Sequence, residues 1–343
     1  MKQTTWPGRS EGSRFAALPF PIINGRKEEE QRASKHRSEK FAPQIRSHSK
    51  ASSSIEVRDF SMLPYDVLTK IAASFSLPNL RAASLVCKSW CDGLRPLREG
   101  MVFLRWGKRF KHGKGGVRPN LDKALDSFLK GAARGSTLAM VDAGLVYWET
   151  GKKDKAVALY KRAAVLGDPA GQFNLGVSYL QAKPPHPKEA VKWFYQSANA
   201  GYARAQYQLG LCLLHGRGVD KKKHEAARWY LKAAEGGYLR AMYNISLCYS
   251  FGEGFGQNHR LARKWMKRAA DSGHTKAQYE HGVALFSEGE VMKAVVYLEL
   301  ATRGGETAAA HVKAVALQQL SATSRDRVML LADSWRALPS ASS

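Results

Sequence analysis

Ala205–Arg240 reads AQYQLGLCLLHGRGVDKKKHEAARWYLKAAEGGYLR, and the next 36 residues, Ala241–Lys276, read AMYNISLCYSFGEGFGQNHRLARKWMKRAADSGHTK. Their landmarks fall in the same order: Ala-x-Tyr, Leu-Cys, a Gly-x-Gly loop, an aromatic pair position, Ala-Ala and a closing Gly. Self-similarity at such a period signals a solenoid, in which each unit packs only on its neighbours.

Carried outward, the register places the closing glycine at Gly135, Gly167, Gly201, Gly237, Gly273 and Gly304, in steps of 32, 34, 36, 36 and 31. A glycine just past a helix suits a left-handed C-terminal cap. A second set, Gly144, Gly176, Gly210 and Gly282, with Ser246 in the equivalent place, falls inside the first helix of each unit. An interior Gly costs about 1 kcal/mol of helix propensity. Its recurrence at one register therefore implies a contact too close for a Cβ. Small residues around Ala163-Ala164, Ala233-Ala234 and Ala269-Ala270 let helices approach while Phe128, Tyr160, Trp193-Phe194, Trp229-Tyr230, Trp265 and Tyr297 fill the gaps. The reading is helix–turn–helix units in series.

The register also runs backwards. His215-Gly-Arg-Gly218-Val219 has its counterpart in His112-Gly-Lys-Gly115-Gly116-Val117, with Gly107 standing where Gly210 does. Leu97–Lys111 is thus the first helix of a first repeat, with no Ser/Pro linker before it. It is expected to pack on the segment that precedes it.

That segment, Phe60–Leu97, carries two apolar series. Leu63-Pro64 opens a helix, since Pro suits a first turn, and Val67, Leu68, Ile71 and Phe75 follow at helical spacing. After a break at Pro78 come Leu80, Ala83, Val86, Cys87, Trp90 and Leu94. Three short helices make a poor independent core, so part of this apolar surface is expected to meet a partner or the neighbouring domain.

Leu63-Pro64-x-Asp66-Val67-Leu68-x-x-Ile71, then Leu80, then Leu85-Val86-Cys87-Lys88-x-Trp90, resembles an F-box. The resemblance implies that Leu63, Pro64, Ile71, Leu85, Val86 and Trp90 help form the surface that docks the Skp-type adaptor of a cullin–RING ubiquitin ligase. The array resembles Sel-like repeats, a tetratricopeptide-related class, through Ala-x-x-x-Leu-Gly, the Gly-x-Gly-Val turn and Ala-x-x-Trp-Tyr-x-x-Ala-Ala-x-x-Gly at Ala205–Gly237. Leu213 replaces the family's Tyr there, the third unit has KPPHP at Lys183–Pro187 for its glycine loop, and the second and sixth have shortened turns. Together the two parts are similar to plant F-box proteins with such repeats. The fold expected is all-α: a three-helix F-box segment followed by an α-solenoid. The organisation is a basic, Ser-rich disordered leader at 1–54, the F-box at 55–100, six repeats over 97–305, capping helices at 306–338 and a tail at 339–343.

The formal charge is +25, with 54 Lys and Arg against 29 Asp and Glu. Such a balance favours acidic partners without choosing among them. Runs such as Lys221-Lys222-Lys223 and Arg260, Arg263, Lys264, Lys267, Arg268 read as a solvated face, or as a basic groove for an acidic peptide. Four cysteines in so long a chain make no disulfide framework and point to a reducing intracellular compartment, nucleus or cytoplasm. No continuous apolar h-region marks a secretory signal.

Candidate chemistry dissolves into the repeat. The Gly216/Gly218 and Gly252/Gly254 pairs lack a preceding strand and recur in phase, which makes them turns and not phosphate cradles. Cys212 and Cys248 share one register and are core positions; Cys87 and Cys91 have no matching Cys/His pair for zinc. No nucleophile–base set can be placed by spacing. The expectation is therefore a non-catalytic protein without cofactor. It would be the substrate receptor of a Skp–cullin–F-box ligase, with the repeats holding an unknown target protein whose acidic character the charge balance favours. The alternatives are a ligase-independent repeat scaffold and, behind it, nucleic-acid binding through the basic face. No membrane partner is expected.

Overall fold

The computed structural model describes residues 63–72 and 75–338. The readings for the leader at 1–54 and the tail at 339–343 lie outside the described residues. Within them the chain forms 17 helices and no strand. Three short ones come first: α1 (Tyr65–Ala72), α2 (Leu77–Ala83) and α3 (Lys88–Gly93). Six antiparallel pairs follow: α4 (Arg95–His112) with α5 (Leu121–Ala133), α6 (Thr137–Glu149) with α7 (Lys153–Val165), α8 (Pro169–Gln181) with α9 (Pro187–Asn199), α10 (Ala203–His215) with α11 (Lys223–Glu235), α12 (Leu239–Phe251) with α13 (His259–Asp271), and α14 (Thr275–Ser287) with α15 (Val291–Arg303). A last pair, α16 (Thr307–Gln318) and α17 (Ala322–Ser334), closes the array.

The glycines explain the regularity. Gly135, Gly167, Gly201, Gly237 and Gly273 all have φ between 84 and 92°. The residue after each donates its N–H back across the turn, as Tyr238 does to the Ala233 carbonyl at 2.9 Å, which satisfies carbonyls the ending helix leaves open. In the sixth pair the left-handed residue is Gly305 (φ 93°), not Gly304, whose φ is −75°. The closing glycine expected at Gly304 thus falls one residue later, as the Glu306 N–H to Ala301 carbonyl bond (3.0 Å) shows.

Four of the interior glycines face rings. A Cβ on Gly144 would lie 2.5 Å from Tyr160, on Gly176 2.7 Å from Phe194, and on Gly210 2.6 Å from Tyr230; Gly107 meets Phe128 in the same way. Phe128, Tyr160, Phe194 and Tyr230 are therefore one register, and Trp193, Trp229, Trp265 and Tyr297 the position before it. In the fifth pair both members change together: Ser246 stands for the glycine, and Met266, a flexible side chain, for the ring, with Ser246 Oγ 3.9 Å from Met266 Sδ.

Neighbouring pairs are joined by a buried amide. Gln172, Gln206 and Gln278 donate from Nε2 to the carbonyls of Ala164, Ala198 and Ala270 at 3.2–3.4 Å. Met140 and Met242 fill the same register where no glutamine does. The turns interlock as well. A Cβ on Gly254 would lie 2.5 Å from the Lys223 carbonyl oxygen, and one on Gly218 2.8 Å from the Lys188 nitrogen, so each loop rests on the second helix of the pair before it.

Candidate functional site

Local hydrogen bonds shape the segment before the array. Ser76 Oγ accepts from the Asn79 N–H at 3.4 Å and starts α2, with Pro78 in its first turn and not between helices. Ser84 Oγ then donates to the Leu80 carbonyl (2.6 Å), and Cys87 Sγ accepts from the Trp90 N–H (3.4 Å) to start α3. What reads in sequence as one apolar series is thus two helices and a turn. That turn, closed by Leu85 N–H to Ala82 and Val86 N–H to Ala83, turns Leu85 and Val86 outward.

The core here is Leu68, Ala72, Leu80, Leu94 and Leu97, with Phe75, Trp90 and Met101 packed against it. Leu94 ends α3 and begins α4. Leu97 and Met101 belong to α4, and Met101 also touches the cluster built on Leu104, Ala124 and Phe128. The array's first helix therefore packs against the preceding helices directly.

The resemblance assigns six residues to the adaptor surface, and the structure separates them. Leu85 is 86% exposed, Val86 59% and Ile71 52%; Pro64 is also exposed. Leu63 and Trp90 are half-buried, Trp90 bracing the core. Val67 and Ile71 leave the apolar face that spacing assigned them with Leu68; only Leu68 of the three is buried. Burying exposed apolar surface is worth about 25 cal/mol per Å², and Leu85, Val86 and Ile71 leave such surface in water. Leu85 also lines an open groove of about 400 Å³, with Leu77, Arg81, Cys91, Arg98 and Val102 among others. Sequence reading missed Val102 and Trp106 of α4, both well exposed. The available signal was that both stand off the Leu97/Leu104 stripe.

In the array the glycine pairs are turns: Gly216 and Gly252 are left-handed caps of α10 and α12. Burial pushes the thiols of Cys212 and Cys248 up to about 11, which keeps them protonated. Lys221, Lys222 and Lys223 are exposed, as are Arg260, Arg263, Lys264, Lys267 and Arg268 along α13. Several of these lean on neighbours: Lys223 on Glu253 at 3.1 Å, Arg263 on Glu288 at 3.3 Å, and Arg268 over the Trp265 ring. No helix among the described residues is long and apolar enough to cross a membrane.

Comparison with known proteins bears on both parts. The F-box domain family matches residues 60–95, and the Sel1 repeat family matches 104–136, 144–168, 169–202, 203–238 and 239–274. The sixth pair lies beyond the matched repeats, although a Cβ on Gly282 would meet Leu298 at 2.9 Å in the same register. An F-box protein of Arabidopsis thaliana is 65% identical over 99% of both chains. A chitin synthase regulator of Saccharomyces cerevisiae is 32% identical over 31% of this chain and 16% of its own length. Among solved structures, a protective antigen of uropathogenic Escherichia coli with an SLR fold aligns with a TM-score of 0.58 and 21% identity, over 79% of this chain and 63% of that one. A Sel1 repeat protein of Oxalobacter formigenes aligns at 0.52 and 24%, over 70% and 97%. These two speak for the fold alone. The protein is all-α, with protein-interaction repeats following an F-box, and it belongs to the F-box proteins that carry Sel1 repeats.

Proposed function

We propose that this chain is the substrate receptor of a Skp–cullin–F-box ubiquitin ligase, with α1–α3 docking a Skp-type adaptor and the array holding the target protein. The observation that carries the reading is the exposed apolar set Ile71, Leu85 and Val86 on a segment matched by the F-box family. F-box domains typically bind such adaptors, and Sel1 repeats bind proteins. Both families are interaction modules, and the chemistry would belong to the ligase. This chain's contribution would be to hold a target near the ubiquitin-loaded enzyme, raising its effective concentration.

The test is co-purification of the full chain with a Skp-type adaptor. Leu85→Glu/Val86→Glu places charge where the side chains already face water, so helical content should be kept while capture is lost. Leu63→Ala/Pro64→Ala should weaken capture as well. Absence of capture by the wild type, or equal capture by the charged variant, overturns the reading. Target partners retained after deletion of 58–96, with no effect on their ubiquitination, would favour a ligase-independent scaffold.

A further inference from the structure

The first helix of the array buries one stripe and leaves another in water. Leu97, Leu104 and Gly107 of α4 are buried, Leu97 in the core it shares with Leu68, Leu80 and Leu94. Val102 and Trp106 stand off that stripe, one helical turn apart on one face, and are 39% and 43% exposed. The F-box family match ends at residue 95, so this face lies outside the matched segment.

Val102 nonetheless shares a groove with that segment. Leu77 and Arg81 of α2, Leu85 of the turn after it, Cys91 of α3, and Arg98 and Val102 of α4 line one open space of about 400 Å³. Leu85 is thus common to the groove and to the exposed F-box set, and Val102 continues the apolar surface onto the array. The two halves are held in one geometry, because Leu80 of α2 and Leu97 of α4 pack in the same core and Leu94 ends α3 and begins α4. A surface fixed before contact loses little ordering entropy when it is covered.

The charges bear on what fits there. Glu99, the one carboxylate among the lining residues, is engaged by Arg134 at 2.8 Å. Asp92 of α3 is engaged by Arg95 at 2.7 Å. Arg98 lies on the Cys91 thiol, at 3.7 and 3.8 Å, which does not neutralise a guanidinium. The groove is therefore apolar with net positive charge, and complements an apolar side chain that has a carboxylate beside it.

We propose that this groove extends the adaptor-docking surface onto the array, Val102 together with Leu85 receiving such a side chain of the Skp-type adaptor. This deepens the receptor reading and rests on it. An adaptor that touches the F-box helices and the first repeat at once sets the direction in which the array holds its target, which is the positioning a receptor contributes.

The experiment is a titration of the full chain with a purified Skp-type adaptor, read by biolayer interferometry. Val102→Glu should weaken binding by about tenfold or more, since it sets a carboxylate in an apolar contact and against the adaptor's own. Val102→Lys should weaken it less at low salt, the gap closing as salt screens the charges. Val102→Thr keeps the shape of the side chain and should weaken binding severalfold; it carries the test if Val102→Glu melts early in circular dichroism. Val165→Glu, the same change at an exposed valine of α7, should stay within about twofold. If Leu85→Glu/Val86→Glu abolishes binding while Val102→Glu and Val102→Thr bind as the wild type does, the groove is no part of the adaptor surface, and this inference fails while the receptor reading stands. Equal loss with Lys and Glu at low salt also overturns it. So does loss of a target protein or of self-association by Val102→Glu with adaptor binding intact. A wild type that does not bind the adaptor overturns both readings together.

Discussion

Gly210→Ala tests the principle that organises the array. The added Cβ would lie 2.6 Å from Cε1 and 2.8 Å from Cδ1 of Tyr230, and 3.2 Å from the Ala226 carbonyl oxygen. Tyr230 is 1% exposed, packed with Ala233, Ala234, Met242 and Ile245, and its ring centre is 5.6 Å from that of Tyr207, so it has nowhere to retreat. Overpacking of this kind costs ~1–3 kcal/mol, against which alanine returns about 1 kcal/mol of helix propensity. The net is a loss of up to ~2 kcal/mol, which corresponds to a melting temperature lower by up to ~4 °C for a chain of this size. Calorimetry reads the size of the effect. Hydrogen exchange localises it to α10 and α11, because a solenoid opens piecewise. Gly256→Ala is the control, since nothing lies within 4 Å of a Cβ there. The double variant Gly210→Ala/Tyr230→Met copies the small-residue and methionine pair of Ser246 and Met266, and should recover ~1 kcal/mol relative to additivity. If Gly210→Ala melts no lower than Gly256→Ala, the glycines are not kept by the ring contact and the reasoning fails.

Gln278→Ala should cost ~1–3 kcal/mol, because it removes the Nε2 donor to the Ala270 carbonyl and leaves a gap. Gln278→Met, the residue at this register in two other pairs, should cost less than half of that by urea unfolding. Glu299 is buried; burial would raise its carboxyl, but hydrogen bonds from Lys313 (2.8 Å) and Arg303 (2.7 Å) win and hold it below the usual range. Its contribution is present above the ordinary carboxylate pKa and lost as pH falls through the lowered one, so the stability gap between wild type and Glu299→Gln should close in acid. His274 is the opposite case in charge. It stays neutral in the fold to about pH 4 while the unfolded imidazole binds its proton near 6.5. Between those values the unfolded state holds more protons, so stability should rise with pH, and His274→Tyr, the residue at Tyr202 and Tyr238, should flatten that slope.

Different parts of the molecule were legible in sequence to different degrees, for physical reasons. A left-handed cap and a Cβ-free contact each demand one residue type, so Gly135 or Gly210 announces its role by recurring. At Gly304-Gly305 two adjacent glycines fit one cap, so the expectation of Gly304 was a residue early and the closing hydrogen bond sets it at Gly305. The division of Leu80–Leu94 into α2, a turn and α3 hangs on Ser84 Oγ and Cys87 Sγ taking backbone partners. A hydrophobic pattern does not register that. The same pattern shows Leu85 and Val86 to be apolar but does not tell which way they face. The docking candidates were available as a family resemblance, and their exposure only as coordinates.

The same logic fixes what counts as a folding unit. Five residues form the buried core of the first three helices, and one of them, Leu97, comes from α4. Met101 covers that core from one side and the Leu104–Phe128 cluster from the other. At 18 residues against 13 for the first helices of the next five pairs, α4 spends its extra length on this contact. A fragment ending at residue 95 would lose Leu97 and Met101 together and expose Leu68, Leu80 and Leu94. Removing a buried Leu typically costs 2–5 kcal/mol, comparable to all that so small a core supplies. Such a fragment should therefore give little cooperative unfolding and weak adaptor capture, whereas one extended through Ala133, which restores α4 and α5, should recover both. Equal capture by the two fragments would mean that the F-box segment stands without the array, and that α4 serves the repeats alone.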